Sequence, residues 1–196
     1  MCIRDSGRII YLISDEPYGE IVFDGAELPN LFSCYANSIL VNSFSKSLSI
    51  AGDRLGYIAI HPEVEGQETL VDGMVFCNRT LGFVNAPATP QQGIRRTAGL
   101  HVAAGEYEER RDLLCQGLEE AGYRFTKPEG AFYLFPKSPV PDEIPFVQEL
   151  LEEGVLVVPG TGFGRSGYFR IAYCVDKEVI ENALPAFARV LRRSAQ

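Results

Sequence analysis

Three short apolar runs in the first third of the chain constrain its fold more than any other feature. They cover residues 8–13, 38–42 and 55–60, contain several β-branched side chains, and are bounded by Ser, Asn, Gly or Pro. Continuous runs of this kind are typical of strands buried on both faces of a helix-covered sheet. The pattern therefore predicts that residues 7–104 form the end of a parallel α/β domain.

The second half of the chain has a different pattern and predicts a compact α+β domain over residues 105–196. Helices are expected over residues 105–121 and 146–153, each ended by a glycine, with strands over 155–158 and 168–173. The last helix should begin at Asp176 as its N-cap, because apolar residues then recur at helical spacing up to Leu191. No repeat or low-complexity linker separates the two halves.

Composition excludes several classes of function. The net charge of −8 argues against nucleic acid or an anionic membrane surface as the main partner. The five cysteines form no C-x-x-C pair and their number is odd, which favours a reduced cytosol over a disulfide framework. With only two histidines beside them, no metal site is expected. The apolar runs are too short to cross a membrane.

Chemically capable residues directly follow two of the predicted strands. Asp15-Glu16-Pro17-Tyr18 follows the first run, and Ser43-Phe44-Ser45-Lys46 follows the second, with Arg54 eight residues beyond Lys46. Ligands of open α/β sheets bind beyond the carboxyl ends of the strands. Hydroxyl groups and an arginine suit a phosphate, whereas a lysine amine can react covalently. The spacing predicts a site where a phosphate is held beside a reactive lysine.

These segments resemble the cofactor site of the class I/II aminotransferases, which are pyridoxal 5′-phosphate (PLP) enzymes of fold type I. The resemblance implies that Lys46 forms the Schiff base and moves protons at the substrate α-carbon. It also implies that Asp15 pairs with the pyridine nitrogen and that Tyr18 bonds the 3′-oxygen. The phosphate would be held by three side chains, Ser43, Ser45 and Arg54. Tyr18 as a packing aromatic and Ser45 as a helix cap are the structural alternatives.

The resemblance extends from Gly7 to the end of the chain. Tyr168-Phe169-Arg170-Ile171-Ala172-Tyr173 is similar to the strand whose arginine binds the substrate α-carboxylate, which implies that role for Arg170. A salt bridge at the rim of the domain is the alternative. The segments 130–133 and 159–164 also resemble the family's small domain. The three glycines at 160, 162 and 164 precede a strand, so we interpret them as turn residues rather than a nucleotide-binding loop.

The implied fold class is α/β, with part of a parallel or mixed PLP-binding sheet followed by an α+β small domain. The implied reaction is transfer of an amino group from an amino acid to a 2-oxo acid, by a cytoplasmic homodimer. Complete family members are roughly twice as long, so the chain is expected to be a C-terminal half that is inactive alone, with residues 1–6 foreign to the fold. Two alternatives remain: another fold-type-I enzyme, such as a carbon–sulfur lyase or synthase, and a non-catalytic PLP-sensing domain.

Overall fold

The computed structural model describes residues 7–97 and 99–194. Two compact units can be distinguished among them. The first extends to Glu20 and resumes over Glu27–Val102, and the second combines Ile21–Ala26 with the chain from Ala103 onward. The sequence-based boundary after residue 104 lies two residues away and did not include the excursion of Ile21–Ala26. Residues 1–6, expected to be foreign to the fold, lie outside the described residues.

The first unit contains a three-stranded mixed sheet in the order β1 (Leu12–Asp15), β2 (Ser38–Ser43) and β3 (Gly56–Ile60). Strand β1 is parallel to β2, with Leu12 opposite Ser38, and β3 is antiparallel to β2. The first strand begins four residues later than predicted. The reason is that β2 starts only at Ser38, so the residues before Leu12 have no strand to pair with.

Four helices accompany this sheet, namely α1 (Leu31–Cys34), α2 (Phe44–Ser47), α3 (Gln67–Thr80) and α4 (Ala88–Arg96). The prediction that the strands are buried on both faces is wrong for this chain, since Ile13 is 63% and Ile58 52% exposed. The physical reason is that α3 and α4 contain no buried residue, so they do not cover the sheet. No helix in the described part of the chain is long and apolar enough to cross a membrane.

The second unit contains helices α5 (Ala104–Ala121), α6 (Glu143–Glu152) and α7 (Lys177–Ser194). Its antiparallel sheet has the order β4 (Tyr133–Leu134), β6 (Phe169–Ala172) and β5 (Val158–Pro159). Leu118, Phe169 and Phe187 are fully buried where the helices meet the sheet. Helix α6 begins three residues earlier than predicted, because Asp142 caps it by accepting the N–H of Ile144.

The segment Ile21–Ala26 is built into the core of the second unit. The side chains of Ile21 and Phe23 are fully buried, and the Phe23 N–H donates to the Glu129 carbonyl at 2.9 Å. The Asp24 carboxylate receives two hydrogen bonds from Arg111, at 2.7 and 3.1 Å. Because Arg111 has no exposed surface, Asp24 supplies charge compensation that this buried cation requires.

Candidate active site

The predicted site residues of the first unit are located by its sheet. Strands β1 and β2 are parallel, so their carboxyl ends lie at one edge, with Asp15 opposite Val41. The Glu16 N–H donates to the Val41 carbonyl at 2.9 Å, which continues the pairing beyond Asp15. Helix α2, which carries Lys46, begins directly after β2. The register thus places Asp15 and the Lys46 turn at the same edge of the sheet.

The hydroxyl groups of Ser43 and Ser45 are joined on the turn that carries Lys46. Ser43 is the N-cap of α2, since its Oγ accepts the Ser45 N–H at 3.1 Å. The Ser43 hydroxyl also donates to the Ser45 Oγ at 2.7 Å. It is therefore Ser43, not Ser45, that caps the helix. The half-buried Lys46 and the two hydroxyls form one short polar turn at the strand end.

Arg54 has a backbone conformation that residues with a Cβ rarely adopt. Its φ of 52° and ψ of 49° are left-handed, and its guanidinium donates to the Ala51 carbonyl at 2.9 Å. No carboxylate of residues 7–97 or 99–194 forms an ion pair with it. Strained backbone of this type often occurs at ligand sites. The charge of Arg54 is thus directed at solvent without an acidic partner.

Gly56, two residues after Arg54, is required by the close approach of two strands. A Cβ at this position would lie 2.6 Å from the carbonyl oxygen of Asn42, so only glycine permits the close approach of β3 to β2. Ser43 is directly opposite Gly56 in the register. The glycine therefore keeps the chain that leaves Arg54 next to the residue that begins the Lys46 turn.

Asp15 and Tyr18 lie past the end of β1. The Asp15 side chain is exposed and has no hydrogen-bond or ion-pair partner among the described residues. Tyr18 is half-buried in the turn that closes with a hydrogen bond from the Gly19 N–H to the Glu16 carbonyl. The role of Tyr18 stays a prediction, and so does its alternative as a packing aromatic.

The donor set at this edge fits PLP. The cofactor presents an aldehyde, a phosphate and a pyridine nitrogen, which require an amine, anion donors and a carboxylate. Lys46 is the amine, and Arg54 and Asp15 carry opposite charges that the described residues leave uncompensated. The hydroxyls of Ser43 and Ser45 add neutral donors beside the lysine.

Arg170 lies in the second unit, on β6 opposite Val158. Its guanidinium carbon lies 4.4 Å from the ring centroid of Tyr133 and 4.3 Å from that of Phe163, so the group contacts two aromatic rings. Its Nε is buried and has no hydrogen-bond partner among the residues that the structure describes. The alternative of a rim salt bridge is wrong, because no described carboxylate pairs with Arg170. An unpaired, partly buried cation of this kind is suited to an anionic ligand.

Tyr133 and Phe163 were not identified as site residues by sequence reasoning. Both lie within the two segments, 130–133 and 159–164, that resemble the family's small domain, and this was the available signal. Residues Gly160–Phe163 form a 3₁₀ turn, and a Cβ on Gly160 would lie 2.3 Å from the Arg165 carbonyl oxygen. The interpretation of these glycines as turn residues is confirmed.

Glu143, the first residue of α6, is a further residue that the sequence did not reveal. It is only 1% exposed, and its carboxylate accepts the N–H groups of Thr161 and Gly167, each at 2.8 Å. The Thr161 hydroxyl also donates to it. The hydrogen bond from this hydroxyl, followed by those from the two N–H groups, lowers the pKa of Glu143 from 4.5 to about 2. The carboxylate is therefore ionised at neutral pH.

The family described as aminotransferase class I and II matches residues 7–187. The aspartate/prephenate aminotransferase of Thermus thermophilus is 35% identical over 193 residues, which cover 94% of this chain and 49% of that protein. The LL-diaminopimelate aminotransferase of Moorella thermoacetica is 30% identical and shares 90% of this chain and 47% of its own length. The chain spans about half the length of the curated relatives it matches.

A solved aminotransferase structure has the same fold as this chain. The crystal structure of an aminotransferase from Eubacterium rectale superposes with a TM-score of 0.93 at 40% identity, over 99% of this chain and 49% of that one. The α/β fold class and the resemblance identified from the motifs are both confirmed.

Proposed function

We propose that this chain, which belongs to the class I and II aminotransferases, carries the lysine-bearing part of an enzyme that transfers an amino group from an amino acid to a 2-oxo acid. The observation that carries the proposal is the single sheet edge shared by Asp15 and the Ser43–Lys46 turn. Aminotransferases of this family use PLP. When bound, PLP supplies an aromatic ring that accepts electrons from the substrate α-carbon.

Each residue at this edge has a distinct task in the proposal. Lys46 would hold the cofactor through its amine and would move the proton at the substrate α-carbon. Asp15 keeps the pyridine nitrogen protonated, and Tyr18 donates to the 3′-oxygen. Arg54 and the hydroxyls of Ser43 and Ser45 bind the phosphate, where the fork of the guanidinium matches two oxygens.

Arg170 binds the α-carboxylate of both substrates. The amino acid and the 2-oxo acid share this group, so one arginine can serve both halves of a ping-pong reaction. Its buried, unpartnered Nε and its two aromatic neighbours support the role, because the guanidinium is partly desolvated and has no competing anion among the described residues.

The assembly and location of the complete enzyme are part of the same proposal. We infer a cytoplasmic homodimer, because the class I/II resemblance implies a site completed by a second subunit. The unpaired cysteine pattern and the acidic charge support a reduced, aqueous compartment. The names of the relatives support amino acid and 2-oxo acid substrates in general terms.

Replacement of Lys46 in the full-length enzyme tests the proposal. The chain, completed with an N-terminal half like that of its relatives, is supplied with PLP and assayed for amino transfer between amino acids and 2-oxo acids. Lys46→Arg should abolish transfer. Lys127→Arg is the matched control, because Lys127 pairs with Asp112 on the surface of the second unit and should be silent.

Borohydride reduction and peptide mapping complete this test. The reduced cofactor should be recovered on Lys46, and recovery on another lysine would contradict the assignment. Release of ammonia and a keto acid, without an aminated product, would instead indicate a lyase of the same fold type.

A further inference from the structure

Glu143 connects the loop of residues 160–167 to the start of α6 through several hydrogen bonds to its carboxylate. Its carboxylate accepts two backbone N–H groups, from Thr161 and Gly167, and the hydroxyls of Thr161 and Ser166. No cation in the described part of the chain pairs with it. A buried carboxylate is tolerated only when it is hydrogen-bonded. Here all the donor groups outside helix α6 belong to one loop. The loop of residues 160–167 is therefore held at both ends by one side chain.

The held loop carries Phe163, one of the two rings on Arg170. Phe163 is the last residue of the 3₁₀ turn that starts at Gly160, between the Thr161 and Gly167 anchors. Its ring lies 4.3 Å from the guanidinium of Arg170 and contacts the edge of Phe135, with 6.2 Å between ring centroids. The loop thus sets the position of one of the two rings that contact the guanidinium.

The ring of Phe163 also limits the conformations of the Arg170 side chain. An arginine side chain has many rotamers, and β6 fixes only the backbone of Arg170. Contacts with the rings of Tyr133 and Phe163 restrict the rotamers of the guanidinium, and a guanidinium held in one orientation favours the two parallel hydrogen bonds that a carboxylate accepts. Pre-organisation of this kind raises affinity by reducing the entropy lost on binding.

We propose that Glu143 is a positioning residue for substrate binding. Through the 160–167 loop, Glu143 holds Phe163 against Arg170. This inference rests on the proposed role of Arg170 as the carboxylate-binding residue. Because the interaction is made equally with bound substrate and transition state, its loss should raise KM and leave kcat nearly unchanged.

The first test follows the side-chain Nε–H signal of Arg170 by NMR in the full-length protein, labelled with ¹⁵N at arginine. The two neighbouring aromatic rings should shift this signal, and Arg170→Lys assigns it. In Glu143→Gln, the amide cannot accept both N–H groups, so the loop should loosen and the signal should move toward that of a free arginine. Glu153→Gln is the matched control: Glu153 directly follows the same helix and pairs with Arg189 and Arg193, without touching the loop.

A signal that moves in Glu143→Gln and stays in Glu153→Gln supports the proposal, and equal behaviour of the two variants overturns it. If Glu143→Gln does not fold, Thr161→Val weakens the same contact from the loop side and should produce a smaller shift in the same direction. An unchanged signal in a folded Thr161→Val variant would then overturn the proposal.

The second test is kinetic and uses the full-length enzyme with PLP. Glu143→Gln and Phe163→Leu should each raise KM for the amino acid and for the 2-oxo acid by about five- to tenfold, with kcat changed less than about twofold. A fall in kcat at constant KM overturns the positioning role. If the NMR signal responds but no variant of the enzyme, wild type included, transfers amino groups, then the proposed function fails while the control of Arg170 by Glu143 stands.

Discussion

Asp15 and Arg54 are opposite charges that the first unit leaves without compensation. Exposed charged side chains are usually solvated at little cost in free energy, so the lack of an ion-pair partner does not by itself indicate a site. The positions of these two residues in the fold are what indicate one. Asp15 ends a strand, and Arg54 has a left-handed backbone at the far end of the Lys46 loop. A ligand that is anionic at one end and cationic at the other would satisfy both residues.

Replacement of Asp15 by Asn separates cofactor binding from chemistry. The amide keeps the shape of the side chain but cannot stabilise a protonated pyridine nitrogen, so electron withdrawal by the ring weakens. In the full-length enzyme, kcat should fall at least about 100-fold while PLP stays bound. Cofactor content by absorbance and turnover of an amino acid measure the two effects. Near-normal turnover would show that Asp15 has no such role.

Replacement of Arg170 by Ala should have the complementary effect. Removal of a partly buried cation that binds the substrate carboxylate should raise KM for both substrates about 100-fold, because both present the same carboxylate. PLP affinity should be unchanged. If PLP dissociates while substrate affinity is retained, Arg170 acts on the cofactor and not on the substrate.

At the level of elements, the contact between β2 and β3 is set by one missing Cβ. Gly56→Ala should force a methyl group against the Asn42 carbonyl oxygen, at 2.6 Å, and push β3 away from the Lys46 turn. A loss of roughly 1–3 kcal/mol is expected for such overpacking. Gly52→Ala is the control, since a Cβ there would meet nothing within 4 Å. Thermal unfolding of both variants gives the comparison, and equal melting temperatures would contradict the steric account.

The pKa of Glu143 predicts how acid affects the α6–loop contact. The folded pKa of about 2 lies below the ordinary value of 4.5, so the carboxylate stabilises the folded state above pH 4.5. That contribution is lost as the pH falls from 4.5 toward 2, where the folded state also takes up the proton. The melting temperature of wild type should therefore exceed that of Glu143→Gln most at neutral pH. A difference that is constant between pH 7 and pH 3 would contradict the depressed pKa.

Local patterns in the sequence predicted most elements. The stripe ending at Leu191 gave α7, and Gly122 gave the end of α5, because side-chain spacing and left-handed caps are local properties. The start of β1 was missed, since it depends on where a strand 26 residues later begins to pair. The burial of the strands was missed as well, because it depends on what covers the sheet.

The candidate site divides in the same way. Lys46, Ser43 and Arg54 could be identified because they occupy one short stretch after an apolar run. The two aromatic rings that contact Arg170 could not be identified, since Tyr133 and Phe163 belong to separate segments of the sequence. Glu143 is the clearest case: its partners lie 18 to 24 residues away, and nothing in its neighbourhood distinguishes it from an exposed helix-start glutamate.

For the whole molecule, the two units differ strongly in how much apolar surface they bury. Of the 21 buried apolar residues in the described part of the chain, three lie in the first unit, namely Ile39, Leu55 and Val64. Many large apolar side chains of this unit, such as Phe76 and Phe83, are exposed. Exposed apolar surface and open strand edges favour association.

The 196-residue chain expressed alone should therefore fold unevenly. Hydrogen exchange should show strong protection after residue 105 and weak protection over β1–β3 and α3, and the chain should be poorly soluble. No aminotransferase activity is expected from the chain alone. Uniform protection across both units, or turnover of an amino acid with PLP, would contradict this view.

The excursion of Ile21–Ala26 into the second unit has a consequence for synthesis. The ribosome delivers Asp24 87 residues before Arg111, the buried cation that it compensates. At ordinary elongation speeds, this delay is on the order of ten seconds. During that interval the second unit has not been synthesised, so Ile21 and Phe23 have no core in which to be buried. The first unit is synthesised with a hexapeptide inside its sequence that belongs to the second unit. The second unit also cannot be excised as one uninterrupted piece of gene, because a cut anywhere after Ala26 leaves part of its interior behind.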